Sequence, residues 1–191
     1  LPPVLLVLSV LELSWSLSDE EKKIILDEHN KYRSQVSPPA QAMMKMTWDT
    51  DLELGAQNHA RKCFWSQNGS RVNLFATASA LYGKLAIEEW NEERKFYNLT
   101  TSECVPRQTC DNYSQVPAAG LEGLLGQELY QYPSSSQNLC KRTGTRGNMK
   151  GKKPYVEGPS CEMCPTGTVC ENNLCEVEAG TGKPLRSITK E

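Results

Sequence analysis

Histidine is nearly missing: His29 and His59 are the only two in 191 residues. Imidazole is the commonest metal ligand and acid–base group, so this scarcity narrows both kinds of chemistry at once. No nucleophile motif such as G-x-S-x-G is present, and neither histidine combines with a nearby Ser or Cys in a catalytic pattern. An excess of charge is missing too. The 21 Lys and Arg face 23 Asp and Glu, for a formal charge of −2. No long-range field therefore favours DNA or RNA as a partner. No apolar run is long enough to span a bilayer. With 38% hydrophobic and 23% charged residues, the chain has the make-up of one folded domain with at most a small appendage.

Residues 1–16, LPPVLLVLSVLELSWS, are apolar, Pro-interrupted and end in the small-residue pattern Ser14-Trp15-Ser16. They read as the remains of a signal peptide, the alternative being an N-terminal core helix. Cysteine is plentiful: Cys63, Cys104, Cys110, Cys140, Cys161, Cys164, Cys170 and Cys175. An even number in an oxidising compartment implies up to four disulfides, although eight cysteines permit about 105 pairings. Three N-glycosylation sequons, at Asn68, Asn98 and Asn112, point to the same secreted, extracellular setting.

Ser18 and Glu21 form a capping box that opens a first helix, with Ile24, Ile25, Tyr32 and Val36 at helical spacing and Pro38-Pro39 beyond it. Met44, Met46 and Trp48 alternate with polar residues as in a half-buried strand. Thr50 with Glu53 opens a second helix, carrying Leu52, Ala56, Ala60 and Cys63 near one face. A strand-like Val72-Asn73-Leu74-Phe75 follows, then a third helix from about Leu81 to Phe96, with Leu81, Leu85, Trp90 and Tyr97 as its expected core contacts. Residues 117–147 show neither alternation nor a sustained helical period, which is unusual inside a compact domain. In 161–175, CEMCPTGTVCENNLC, four cysteines stand among few apolar residues, so this piece must be stapled. Zinc would rank first for such a cluster in cytosol, and disulfides rank first behind a signal peptide.

The run Glu28-His29-Asn30-Lys31-Tyr32-Arg33, with Met46-Thr47-Trp48-Asp49, Asn73-Leu74-Phe75-Ala76, Glu89-Trp90-Asn91-Glu92-Glu93 and Tyr113-Ser114-Gln115-Val116, resembles the CAP superfamily. That superfamily holds the cysteine-rich secretory, antigen 5 and pathogenesis-related proteins. The resemblance implies an α+β fold: a three-layer α-β-α sandwich, here with a disrupted central sheet, plus a small disulfide-stapled hinge. Its organisation would be 1–16 signal peptide, 17–150 CAP domain with 117–147 atypical, 151–176 hinge, and 177–191 a flexible tail. It implies the pairs Cys161–Cys170, Cys164–Cys175 and Cys104–Cys110, with Cys63–Cys140 left over.

Family members often carry two His and two Glu that hold a divalent metal in a central cleft. Carried onto this chain, those positions are Gln67, Val72, Glu93 and Asn112, so Glu93 alone is retained. A lone carboxylate cannot hold zinc, and the expectation is no metal, no cofactor and no catalysis. The resemblance then implies extracellular binding of a protein, with a protease as the candidate because this branch is described as peptidase inhibitors. No stretch of the sequence stands out as a reactive-site loop. Two other readings stay open: a sterol- or fatty-acid-binding protein, and binding of heparan sulfate through Lys141, Arg142, Arg146, Lys150, Lys152 and Lys153, among which no acid intervenes.

Overall fold

A computed structural model describes residues 17–60, 72–77, 83–118, 124–131, 139–145 and 153–178. Helix α1, Asp19–Ser34, begins with the capping box the sequence announces. The Glu21 N–H donates to Ser18 Oγ at 3.2 Å, and the Ser18 N–H donates to Glu21 Oε2 at 2.8 Å. Asp19, Glu20 and Glu21 in its first turn and Lys31 and Arg33 in its last complement the helix dipole. Its buried line is Ile25, His29 and Arg33, one residue every turn. Ile24, expected on that stripe, is 47% exposed.

Strand β1, Thr47–Trp48, ends a segment in which Met44 and Met46 are buried, as alternation predicts. Helix α2 spans Thr50–Ala60. Its cap is Asp49, whose Oδ1 accepts from the Leu52 N–H at 2.7 Å, rather than Thr50. Glu53 instead takes the Trp48 Nε1–H at 2.7 Å and the Lys22 ammonium, tying α1, β1 and α2 together. Strand β2 is Val72–Thr77 and helix α3 Gly83–Glu92, which tightens into a 3-10 turn over Glu93–Phe96. A small hairpin of β3, Tyr97–Asn98, and β4, Glu103–Cys104, leads to α4, Asp111–Ala118.

The stretch that lacks a readable period supplies the middle of the main sheet. β5, Leu124–Gln131, and β6, Leu139–Thr145, lie between β1 and β2 in the order β1-β5-β6-β2. β5 runs parallel to β1, and β6 is antiparallel to both neighbours, with Val72 opposite Gly144 and Thr77 opposite Leu139. The sheet is fragmentary, since β1 contributes only two residues. Helix α2 packs on β5 and β6, while α1, α3 and α4 pack together with α4 against β2.

Leu17, Ile25, Met46, Ala86, Ile87 and Trp90 form the core cluster. Leu17 follows the expected signal segment directly, so processing that removed it would open this core. The buried face of α3 is Ala86, Ile87 and Trp90, whereas Leu85, expected inside, is 39% exposed.

β7, Thr168–Glu171, and β8, Leu174–Val177, form a hairpin in the cysteine-rich region. Disulfides join Cys161 to Cys170 and Cys164 to Cys175. The region is fastened to residues 38–45: Cys175 N–H donates to Met43 O at 2.7 Å, Lys45 N–H to Cys175 O at 2.9 Å, and Tyr155 Oη to Pro38 O at 2.9 Å. Ala40, Met43, Leu99, Tyr155 and Leu174 bury a second apolar cluster beneath it. The Lys45 ammonium lies 2.7 Å from Glu176. The Glu171 carboxyl and then Lys45 hold Glu176 below the usual carboxylate range, and Glu176 raises Lys45 in turn.

Candidate functional site

Glu93 stands where α3 gives way to its 3-10 turn, which aims its side chain at the start of α4. There the Asn112 Nδ2–H donates to Glu93 Oε1 at 2.9 Å, and the Tyr113 N–H donates to Oε2 at 2.9 Å. Thr109 Oγ adds a longer contact to Oε1 at 3.4 Å. A helix start leaves backbone N–H groups without internal partners, and a carboxylate satisfies them while meeting the positive end of the dipole. Glu93 is thus a cap for α4 supplied from another helix. Two of the four cleft positions, 93 and 112, are brought together, and they are bonded to each other.

Asn73 on β2 completes this junction. It is 3% exposed, its Nδ2–H donates to Asn112 O at 3.0 Å, and its Oδ1 has no hydrogen-bond partner among the described residues. Val72 begins β2, and Gln67 lies outside the described residues. These residues do not fit a divalent metal. Valine has no donor atom, and the amide of Asn112 turns an N–H rather than a lone pair towards Glu93, so Glu93 is left as the one anionic donor among the described cleft positions. Zinc needs three or four converging donors.

The sulfurs of Cys161, Cys164 and Cys175 lie within 4.8 Å of one another, close enough for a shared ion. All three belong to the two disulfides, and a disulfide sulfur is not the thiolate that zinc requires. Cys104 and Cys110 are also joined, with Cα atoms 5.9 Å apart. Of Cys63 and Cys140, the first and the side chain of the second lie outside the described residues.

His29 is 1% exposed, its Nδ1 is 2.9 Å from Ile25 O, and its ring packs beside Trp90. It is a core residue. His59 lies on α2, and its side chain is outside the described set. Arg33, the last residue of the Glu28–Arg33 run, is 2% exposed and donates from Nε and Nη2 to Met44 O at 3.1 and 2.7 Å. Burial pulls its guanidinium down to about 9, so it stays charged at neutral pH.

An open groove of about 740 Å³ runs between the end of α1 and the β3–β4 hairpin, with Tyr32, Tyr97, Tyr113, Val36, Arg94 and Lys95 among its walls. Burial raises the Tyr113 phenol above its ordinary value, and raises Tyr155 behind it further. Lys141 and Arg142 lie on β6 between two strands, not in a loop. Lys153 is exposed, and Arg146, Lys150 and Lys152 lie outside the described residues.

Residues 26–124 match the cysteine-rich secretory protein family, CAP. Among named relatives, Peptidase inhibitor 16 of Homo sapiens is 40% identical over 187 residues, which cover 92% of this chain and 40% of that protein. The chain therefore spans about two fifths of the length of the relatives it matches first. GLIPR1-like protein 1 of Bos taurus is 35% identical over 77% of this chain and 67% of its own length. Among solved structures, a hookworm platelet inhibitor superposes with a TM-score of 0.68 at 22% identity, covering 85% of this chain and 93% of its own. NaASP2, solved with Zn2+, has a TM-score of 0.60 at 22% identity, over 83% of this chain and 96% of its own.

Proposed function

Because the chain belongs to the cysteine-rich secretory protein family, CAP, we propose that it acts outside the cell as a non-enzymatic binding protein whose target is a peptidase. The observation that carries this is Glu93. The one family-type cleft acid in the chain is bonded to Asn112 and to the Tyr113 N–H, which gives it a structural role as the cap of α4. What remains is surface held rigid by disulfides, suited to recognition. The relative named for peptidase inhibition matches 92% of this chain, and the target class is taken from that name. Disulfides endure in oxidising compartments, which supports secretion. The purified chain should slow at least one peptidase in a panel of serine, cysteine, aspartic and metallo enzymes; a panel left unaffected would refute the reading.

Small-molecule binding is the second reading, supported by the tyrosine-lined groove of about 740 Å³. Solvent extraction of the native protein followed by mass spectrometry separates the two: a stoichiometric sterol or fatty acid favours the groove. The heparan sulfate reading has less support, since Lys141 and Arg142 belong to an internal strand.

Secretion makes the sequons testable. Asn98 is exposed on β3, and its Oδ1, not its Nδ2, takes the N–H groups of Thr100 and Thr101 at 2.9 and 3.2 Å. The Asn112 Nδ2 is held by Glu93, and Ser114 of the same sequon is buried. Peptide mapping after enzymatic deglycosylation in heavy-oxygen water should label Asn98 and leave Asn112 unlabelled. Full labelling of Asn112 would mean that the Glu93–Asn112 contact does not form in the secreted protein. Asn68 lies outside the described residues.

A further inference from the structure

We propose that the loop closed by Cys104 and Cys110 is the peptidase contact, and that Arg107 at its tip enters the acidic specificity pocket of an arginine-specific serine protease. The proposal rests on the inhibitor reading above and adds to it an enzyme class and a point of contact.

The loop reads Cys104-Val105-Pro106-Arg107-Gln108-Thr109-Cys110, and residues 105–109 are all exposed. Its base is fixed on both sides. Leading in, β4 pairs with β3, and the Val105 N–H donates to Phe96 O at 2.8 Å. Leading out, Thr109 Oγ reaches Glu93, and Cys110 is buried just before α4. The disulfide ties the two sides together. A loop ordered in this way gives up little conformational entropy when it binds.

Its tip has an unusual backbone. The Gln108 N–H donates to Val105 O at 3.0 Å, closing a four-residue turn with Pro106 second and Arg107 third. Arg107 has φ of 67°, the left-handed geometry that the third position of a type II turn demands and that glycine adopts at least cost. A strained residue at an exposed tip points to a role outside the fold. Among the described residues Arg107 forms no ion pair, so its guanidinium is not committed to holding the loop.

The neighbours identify the partner's chemistry. No second cation stands in the loop, so a polyanion such as heparan sulfate has only one charge to meet. A single guanidinium preceded by the apolar pair Val105-Pro106 suits a trypsin-like cleft, where a carboxylate at the pocket floor takes the arginine and apolar subsites take the residues before it. The same turn keeps the loop from being an ordinary substrate. Residues 104–110 drawn out as a strand would span about 20 Å, whereas their ends are held 5.9 Å apart. The side chain can fill the pocket while the Arg107–Gln108 peptide bond stays out of the extended geometry that the nucleophile attacks.

The test measures hydrolysis of small chromogenic arginine substrates by trypsin and by thrombin in the presence of the purified full chain. Competitive inhibition is expected, with Arg107→Gly weakening it about 30-fold or more while the melting temperature holds or rises, since glycine suits that φ. Arg107→Lys should retain part of the inhibition of trypsin. Equal inhibition by wild type and Arg107→Gly would remove the loop from the contact and leave the inhibitor reading standing. Inhibition confined to cysteine, aspartic or metallo peptidases would overturn the proposal and spare that reading, whereas silence against every class would overturn both. Cleavage after Arg107 as fast as in the linear peptide Ser-Val-Pro-Arg-Gln-Thr-Ser would make the loop a substrate and refute the proposal.

Discussion

Trp90→Ala is expected to cost about 3–5 kcal/mol, the usual range for removing a large aromatic from a packed core. Trp90 is 2% exposed and packs with Leu17, Ile25, Met46, Ala86 and Ile87, so it joins α1, α3 and the segment entering β1. No backbone shift can refill such a volume from three separate elements. Against a typical domain stability of about 5–15 kcal/mol, the loss approaches the whole. The urea midpoint should fall sharply, and Trp90→Phe, which keeps an aromatic ring at the site, should recover part of it. A shift of only a few tenths of a kcal/mol would mean that α3 is not packed on α1 as described.

Removing the Cys164–Cys175 disulfide, as the double variant Cys164→Ala with Cys175→Ala, has the next largest expected effect. The bridge closes a sequence separation of 11 residues, for which chain entropy gives about 3 kcal/mol. Cys175 is fully buried, and its backbone is bonded to Met43 and Lys45. With few apolar residues of its own, the hairpin of β7 and β8 depends on that anchor. Hydrogen exchange should rise across residues 161–178 and at Lys45, whose N–H donates to Cys175 O, while the Trp90 core stays protected. Exchange rising equally in α3 would show that the β7–β8 hairpin and the Trp90 core unfold as one unit.

Local signals were the legible part of the sequence. The capping box of α1 and the alternation of Met44 and Met46 are short-range patterns, and both translate directly into structure. Faces were less secure: Ile24 and Leu85 are exposed because an adjacent residue, Ile25 or Ala86, takes the buried position. β5 and β6 were illegible although they pair with each other, since a Gly- and Gln-bearing stretch carries no alternation of its own and their outer partners β1 and β2 lie far away in sequence. At the cleft, sequence identified Glu93 and Asn112 as family positions but could not show that they bond to each other. The signal for Arg107 was present, as Pro-Arg inside a short cysteine-bracketed loop, but its meaning depends on exposure and on a positive φ that spacing does not reveal.

Glu93 caps α4, and the cleft positions among the described residues offer it no second anionic donor for zinc. Calorimetric titration of the purified full chain with Zn2+, alongside Glu93→Gln, tests it most directly. No stoichiometric heat is expected for either protein, together with a lower melting temperature for Glu93→Gln, because a glutamine amide places an N–H donor against Asn112 or Tyr113. One zinc per chain at micromolar affinity, abolished by Glu93→Gln, would contradict it.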